Sequence, residues 1–206
     1  MEHHKDMFLE KLPKSIKIED KYYPLRTDFR TWIKIESILK DRNIPDQFKL
    51  STIIVVCDLF YGNRKISKLD YGAILDSIFS FWRMFKPLNK KAKVTSDIAY
   101  SYEQDFDLIA SAFRQQYNIN LFEVNMHWFV FKSLFDGLSD ETMFKRVVFY
   151  RTVDLSKVPK EQRKEYSELK EFYRIKEEVI KKSPQEIEKE LLAKVGGWLW
   201  ANMMEQ

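Results

Sequence analysis

The sequence predicts a mainly α-helical protein, a compact multi-helix bundle around a buried central helix at about residues 120–138. A small N-terminal β-hairpin at residues 15–26, a long charged helix and a C-terminal helix complete the predicted fold. Apolar residues recur at helical spacing along most of the chain. The 5 glycines and 6 prolines leave little material for a turn-rich β architecture. A chain of 206 residues that is 45% hydrophobic can also bury a sizeable core.

The predicted central helix carries two apolar stripes on nearly opposite sides when its residues are placed roughly 100° apart. The first stripe consists of Leu121, Val124, Trp128, Phe131, Phe135 and Leu138. The second consists of Phe122, Met126, Phe129 and Val130. A helix that is apolar nearly all round is buried between neighbours. We therefore expect this segment to lie at the centre of the core.

The hairpin is predicted from alternating side chains near the N-terminus. Ile16 and Ile18 alternate with polar residues, and Tyr23 and Leu25 do so again after a short polar turn. Pro24 lacks a backbone N–H, so it confines the second strand to a sheet edge. Because an isolated hairpin is marginally stable, it is expected to lie on the helices.

Capping residues mark the helices of the N-terminal half. Thr27 or Asp28 is expected to begin a helix that runs to about residue 41. Pro45 suits the first turn of a second helix that ends near residue 62. Ser67, with a carboxylate three residues later, predicts the start of a third helix, and Pro87 stops it.

Similar signals continue along the C-terminal half. A helix that starts near residue 100 is expected to end in a left-handed cap at Asn118. Ser139, followed by acidic residues, predicts the start of another helix. Residues 160–182 form a strongly charged predicted helix with a thin apolar stripe, and Ser183 with Pro184 begins the last one.

Composition limits the compartment and the domain organisation. The net charge of +4 is a small difference between 35 basic and 31 acidic residues and does not by itself imply nucleic acid. The single cysteine, Cys57, lies in an apolar run, which favours a buried thiol and a reducing cytoplasm. No apolar run approaches the roughly 20 residues of a membrane span. We expect a flexible extension at residues 1–12, a helical core domain at 13–158 and a helical appendage at 159–206.

Three lysines form the best basic patch. Lys90, Lys91 and Lys93 lie in a predicted loop at residues 88–99, where the apolar periodicity disappears. A solvated loop and a phosphate-binding loop both fit this composition, and the absence of a glycine-rich cradle favours the solvated loop. A nucleic-acid interface through these lysines and the region of Arg163 and Lys164 is a further alternative.

The C-terminal end is the predicted partner-binding segment. It carries the large apolar residues Trp198, Leu199, Trp200, Met203 and Met204. Such a group either docks on the domain or binds a partner. The sequence leaves both alternatives open.

Two sets of residues raise the question of catalysis or metal binding. Glu123 and His127 are four residues apart, which on a helix permits an acid–base pair or two metal ligands, although a hydrogen-bonded core histidine has the same pattern. His3 and His4 could bind a metal, but a flexible terminus is the simpler interpretation. Because no nucleophile elbow, P-loop, zinc motif or dinucleotide fingerprint is present, we expect no enzyme, cofactor or metal.

Several short stretches together resemble a phage protein family. They are Lys11-Leu12-Pro13, Tyr23-Pro24-Leu25, Thr27-Asp28-Phe29-Arg30-Thr31-Trp32, Asp105-Phe106-Asp107, Ala112-Phe113-Arg114-Gln115-Gln116-Tyr117, Met126-His127-Trp128, Phe131-Lys132, Leu134, Gly137-Leu138, Tyr150-Arg151 and Asp154-Leu155-Ser156-Lys157. In their order and spacing, over about residues 7–175, the chain resembles the bacteriophage gene-product-fifteen family of tail proteins from phages of Gram-positive bacteria.

The resemblance implies a tail assembly chaperone. Such a protein binds the tape-measure protein, helps to recruit the tail-tube protein, acts in the host cytoplasm during infection or from a prophage, and is absent from the mature virion. It would be non-catalytic, with no nucleic-acid or membrane partner, and self-association is left open. The main alternative is a structural virion component, such as a tail-completion or connector subunit.

Overall fold

The computed structural model describes residues 11–41, 44–45, 49, 52–53, 56–57, 71–87, 98–176, 186 and 189. These residues contain one two-stranded antiparallel sheet and six α-helices, which confirms the predicted mainly α class with a small N-terminal hairpin. They belong to two compact units. The first contains described residues up to 87 together with His127–Phe129 and positions 186 and 189, and the second contains described residues 98–126 and 130–176. The three predicted domain ranges stay a prediction.

The hairpin of the first unit consists of β1, Ser15–Ile18, and β2, Lys21–Pro24. Ile16 pairs with Tyr23, and both side chains are buried, as is Ile18. The alternation read in the sequence is therefore the alternation of buried and exposed faces. Glu19 takes a left-handed conformation, with φ 53°, in the turn between the strands.

Two helices pack in the same unit as the hairpin. Helix α1, Phe29–Lys40, begins at the predicted cap Asp28, whose carboxylate accepts a hydrogen bond from the Arg30 N–H at 2.9 Å. Helix α2, Tyr71–Trp82, buries Ile74, Ile78 and Phe81. It is tied to β1 by the Ser77 hydroxyl, which donates to the Lys17 carbonyl at 2.8 Å.

Helix α2 ends earlier than Pro87. The Phe85 N–H donates to the Ser80 carbonyl and the Met84 N–H to the Phe81 carbonyl, both at 2.8 Å, in the pattern of a Schellman motif. Met84 and Phe85 both have positive φ, 55° and 58°, which costs about 1–2 kcal/mol for a residue with a β-carbon. The Phe85 ring packs edge-on against Phe81 and Phe129, and this packing offsets the strain.

The second unit is built from α3, Phe106–Tyr117, most of α4, Trp128–Asp136, α5, Met143–Thr152, a 3-10 turn, Leu155–Lys157, and α6, Arg163–Phe172. The predicted left-handed cap of α3 is confirmed, because Asn118 has φ 55° and its N–H donates to the Arg114 carbonyl. The aromatic core of this unit contains Tyr100, Tyr102, Phe113, Phe131, Phe135 and Phe144.

The predicted central helix begins at Trp128 and not near residue 120. Asn120 instead forms a turn: its side chain accepts the Phe122 N–H, and its carbonyl accepts the Glu123 and Val124 N–H groups. His127 forms a bridge with Asp28, and the Trp128 N–H donates to the Thr27 carbonyl at 2.7 Å. The bond from the Val124 N–H to the Asn120 carbonyl has helical spacing and closes a single turn, whereas the bond to Thr27 occupies the Trp128 N–H that a continuous helix would need for the Val124 carbonyl.

This shorter helix changes the predicted burial. The first stripe is confirmed at Trp128, Phe131, Phe135 and Leu138, which are all buried. The second stripe is wrong at two positions, because Phe122 is 70% exposed and Val130 is 37% exposed. Phe122 lies in the turn, so helical spacing does not govern where its side chain lies.

Two further helix ends differ from the sequence prediction. Helix α5 begins after Thr142, whose hydroxyl accepts the Lys145 N–H, while Ser139 caps the preceding turn. Helix α6 stops at Phe172 and not at residue 182, because the Arg151 side chain takes the Tyr173 carbonyl that the next turn would use.

Other predicted elements lie largely or wholly outside the described residues. They are the helix at 45–62, the start of the third helix at Ser67, the loop at 88–99 and everything beyond 176 except positions 186 and 189. Cys57 is described and is buried, as expected. In the part of the chain that the structure describes, no helix is both long and apolar enough to cross a membrane.

Candidate partner-binding surface

Both groups of predicted site residues lie outside the described part of the chain. The apolar group consists of Trp198, Leu199, Trp200, Met203 and Met204, and the basic group of Lys90, Lys91 and Lys93. Their binding roles stay predictions. The surfaces that the structure describes belong to the first and second units.

His127 is a helix cap. Its Nδ1 accepts the Phe129 N–H at 3.1 Å, the position in which an N-cap side chain satisfies a free donor at the start of α4. Its Nε2 lies 2.9 Å from the Pro13 carbonyl, which can only accept. Since one ring nitrogen accepts and the other donates, the imidazole is neutral with its proton on Nε2.

The environment of His127 agrees with that neutral form. Burial lowers the pKa of His127 from its usual value of 6.5, the bond to the Pro13 carbonyl acts in the opposite direction, and the charge of Lys14 lowers the pKa further. Glu123 lies in the turn before the helix, so the premise that the two residues share a helical face is wrong. Nowhere in the described residues do three or more potential ligands cluster around a metal-sized space.

A buried ion pair organises the second unit. The Arg151 guanidinium donates to both carboxylate oxygens of Asp105, at 2.7 and 2.8 Å, and also to the carbonyls of Ala99 and Tyr173. The Ser101 N–H donates to the same carboxylate at 2.9 Å. The guanidinium thus donates to a carboxylate and two carbonyls, and the carboxylate accepts from the guanidinium and from a backbone N–H. Through these bonds the pair holds α5, the start of α3 and the end of α6 together. It is structural, and no reacting group lies among these partners.

Arg163, one of the basic residues suggested for nucleic acid, also has a role in the fold. Its Nε donates to the Val158 carbonyl at 2.8 Å and its Nη2 to the Ser156 carbonyl at 3.1 Å. These bonds join the first turn of α6 to the 3-10 turn before it. The guanidinium is therefore already engaged in the fold.

Helices α5 and α6 together form an aromatic surface, which we call the α5–α6 aromatic face. Its members are Phe149, Tyr150, Tyr166, Phe172 and Tyr173. Each ring lies within 4.9–6.2 Å of the next, measured between centroids, and Tyr150 stacks on Tyr173 at an interplanar angle of 14°. The three tyrosines are half-buried and act as a base for the two phenylalanines.

The two phenylalanines are the exposed part of this face. Phe149 is 50% exposed and Phe172 is 79% exposed. Fully burying one phenylalanine is worth about 1.5–3 kcal/mol, so a partner that covers both gains a substantial part of a binding free energy. Exposed aromatic side chains on a rigid base are typical of protein-binding surfaces.

The sequence did not single out this face. The charged helix has an apolar stripe of Tyr166, Leu169 and Tyr173, and Phe172 falls outside it. A large apolar residue on the polar side of a helix indicates a binding surface, so Phe172 was the signal in the sequence that could have identified this face. Phe149 gave no such signal, because in the helix predicted to start at Ser139 it directly follows two other apolar residues, Val147 and Val148.

Comparison with known protein families gives a match over most of the chain. A family model described as Bacteriophage Gp15 protein matches residues 8–175, which confirms the resemblance drawn from the short stretches. No curated protein and no solved structure matches the chain.

Proposed function

The chain belongs to the Bacteriophage Gp15 protein family and is a bacteriophage protein; from this premise we propose that it is a non-catalytic tail assembly chaperone. Its partners would be the tape-measure protein and the tail-tube protein, in the host cytoplasm. The observation that carries the proposal is the α5–α6 aromatic face, with Phe149 and Phe172 exposed on a base of tyrosines.

This face has the chemistry that a long helical partner requires. An amphipathic helix binds by placing apolar side chains, spaced three or four residues apart, against an apolar surface. The face supplies such a surface along two helices, and aromatic rings give contact area at a low cost in side-chain entropy. A repeating amphipathic partner could be covered by several copies of the protein, which would keep it soluble.

Co-expression with tape-measure fragments tests the proposal. We expect the wild-type protein to keep a fragment soluble and to copurify with it. Phe172→Ser and Phe149→Ser should each weaken the complex about tenfold or more, because each removes an anchor worth more than about 1.4 kcal/mol. Tyr22→Ser is the matched control, since Tyr22 is 62% exposed and lies in the first unit.

Two results would overturn the proposal. One is that the tape-measure fragments stay insoluble and never copurify with the wild-type protein. The other is stoichiometric recovery of the protein from purified virions by mass spectrometry, which a structural virion component predicts and a chaperone does not.

A further inference from the structure

A second exposed aromatic pair lies in the second unit, away in sequence from α5 and α6. Phe106, at the start of α3, is 56% exposed, and Phe122, in the turn before α4, is 70% exposed. Their ring centroids are 6.3 Å apart, with an interplanar angle of 79°, so the two rings form one edge-to-face pair. We call this the Phe106–Phe122 pair.

Three carboxylates lie close to the pair in sequence. Glu103, Asp107 and Glu123 are exposed, and each is within three residues of one of the two phenylalanines. Within the described residues, none of these carboxylates forms an ion pair. Lys176 brings one cation to this stretch, because its main chain bonds to the Gln104 side chain in both directions. Described residues 98–126 contain four carboxylates and one arginine, so this stretch stays acidic with Lys176 included, in a chain whose formal net charge is +4.

The backbone that carries the two rings is also held in place. The Asn120 side chain accepts the Phe122 N–H at 3.1 Å, and the Asn120 carbonyl accepts the Glu123 and Val124 N–H groups at 3.2 and 3.1 Å. On the other side, Asp105 fixes the start of α3 through its ion pair with Arg151. A partner therefore meets a preformed surface and spends little free energy in ordering it.

We propose that the Phe106–Phe122 pair is a docking site for a basic amphipathic segment of a partner protein. An apolar side chain of the segment packs against the two rings, and its lysine or arginine side chains face Glu103, Asp107 and Glu123. On a helix, residues three or four positions from the apolar anchor lie about 5–6 Å away, which suits carboxylates that border an aromatic pair. The charge complementarity selects this occupant, because a neutral or acidic amphipathic segment gains the aromatic contact without the attraction.

The inference rests on the proposed function only in that the chain binds protein partners. Its test uses a labelled synthetic amphipathic peptide with leucines on one face and lysines beside them. A matched peptide has glutamate at every lysine position. Binding of both to the full-length protein is measured by fluorescence anisotropy at low and high salt.

We expect the wild-type protein to bind the lysine peptide at least tenfold more tightly than the glutamate peptide, with the difference shrinking as salt is added. Phe122→Ser should weaken binding of the lysine peptide about tenfold or more, as removal of an aromatic anchor does. The triple variant Glu103→Gln, Asp107→Asn, Glu123→Gln should bind the two peptides with nearly equal affinity. All these side chains are exposed, so unchanged circular dichroism and melting temperature are the controls for folding.

Tyr22→Ser is the matched control for the aromatic change, because Tyr22 is also a highly exposed aromatic residue, at 62%, and belongs to neither of the two proposed binding surfaces. If it weakens the lysine peptide as much as Phe122→Ser does, the peptide binds exposed aromatic residues in general and the inference is wrong. Wild-type affinity in Phe122→Ser, or an unchanged peptide preference in the triple variant, also overturns it. So does a wild-type dimer that Phe122→Ser converts to a monomer, because the occupant is then a second copy.

The two proposals fail separately. If the tape-measure fragment copurifies with the wild-type protein but the peptides do not distinguish Phe122→Ser from wild type, only this inference fails. If the peptide results follow the expected pattern while no tape-measure fragment copurifies, the docking site stands and the proposed function fails.

Discussion

Replacing Arg151 by methionine should destabilise the protein by about 3–5 kcal/mol, because it leaves a buried carboxylate without its cation. Arg151 and Asp105 are 8% and 2% exposed, so little water can replace the lost partner. In the described structure the Asp105 carboxylate would keep the Ser101 N–H as its remaining donor. The carbonyls of Ala99 and Tyr173 would lose the guanidinium as well.

Urea unfolding followed by far-UV circular dichroism measures this loss. The midpoint should fall by about 1–3 M, given the usual dependence of stability on urea. Arg146→Met is the matched control, since Arg146 is an exposed arginine of the same helix, and its effect should stay within about 0.5 kcal/mol.

A double variant separates the cost of an unpaired charge from the worth of the pair. Arg151→Met combined with Asp105→Leu removes both charges, and it should be more stable than Arg151→Met alone. A loss below about 1 kcal/mol in Arg151→Met would refute the argument, because the pair would then behave as a surface ion pair. A double variant less stable than either single variant would refute it too.

Three further predictions concern stability. The pKa of His127 is lower in the folded protein than its usual 6.5, so between these two values the unfolded state binds more protons than the folded state. The free energy of unfolding should therefore fall as the pH drops through this window. His127→Asn keeps an acceptor for the cap but cannot titrate, so its urea midpoint should fall less with pH. Gly137→Ala should cost about 1 kcal/mol in urea unfolding, because its new β-carbon would lie 3.2 Å from the Ser133 carbonyl oxygen and 3.3 Å from the Tyr117 hydroxyl. Thr142→Ala should cost about 1 kcal/mol by loss of the α5 cap, and Thr142→Ser should restore most of it.

Each of these has a result that contradicts it. An equal pH dependence in wild type and His127→Asn would mean that the histidine does not cap α4 in its neutral form. A stabilised Gly137→Ala would show that the neighbouring atoms move aside and that the smaller backbone entropy of alanine in the unfolded chain dominates. A Thr142→Ser variant no more stable than Thr142→Ala would assign the loss to the threonine methyl group.

Local signals predicted the local features of the fold. The Asp28 cap, the Asn118 cap and the hairpin each depend on residues within a few positions of one another, and each is confirmed. The class of fold followed from composition and from helical spacing, and that spacing depends only on neighbours along the same element.

Helix ends that depend on distant residues were predicted wrongly. The start of α4 is set partly by Asp28, which pairs with His127, and the end of α6 by the side chain of Arg151. Neither partner can be identified from the sequence near the helix end. The exposure of Phe122 was predicted wrongly for a related reason. The turn at Asn120 was taken for helix, and only for that reason was Phe122 assigned to a buried stripe.

The bridge between Asp28 and His127 has a consequence for how the chain is made. Trp128 is fully buried beside Trp32 and donates its indole N–H to the Trp82 carbonyl, so the first unit is incomplete until residue 129 has been synthesised. The ribosome therefore makes residues 98–126 of the second unit before the first unit can close. During this interval the apolar surface that later covers Trp128 and Phe129 remains open to water and to other nascent chains. Completion of this part of the first unit therefore waits for the middle of the chain to be synthesised.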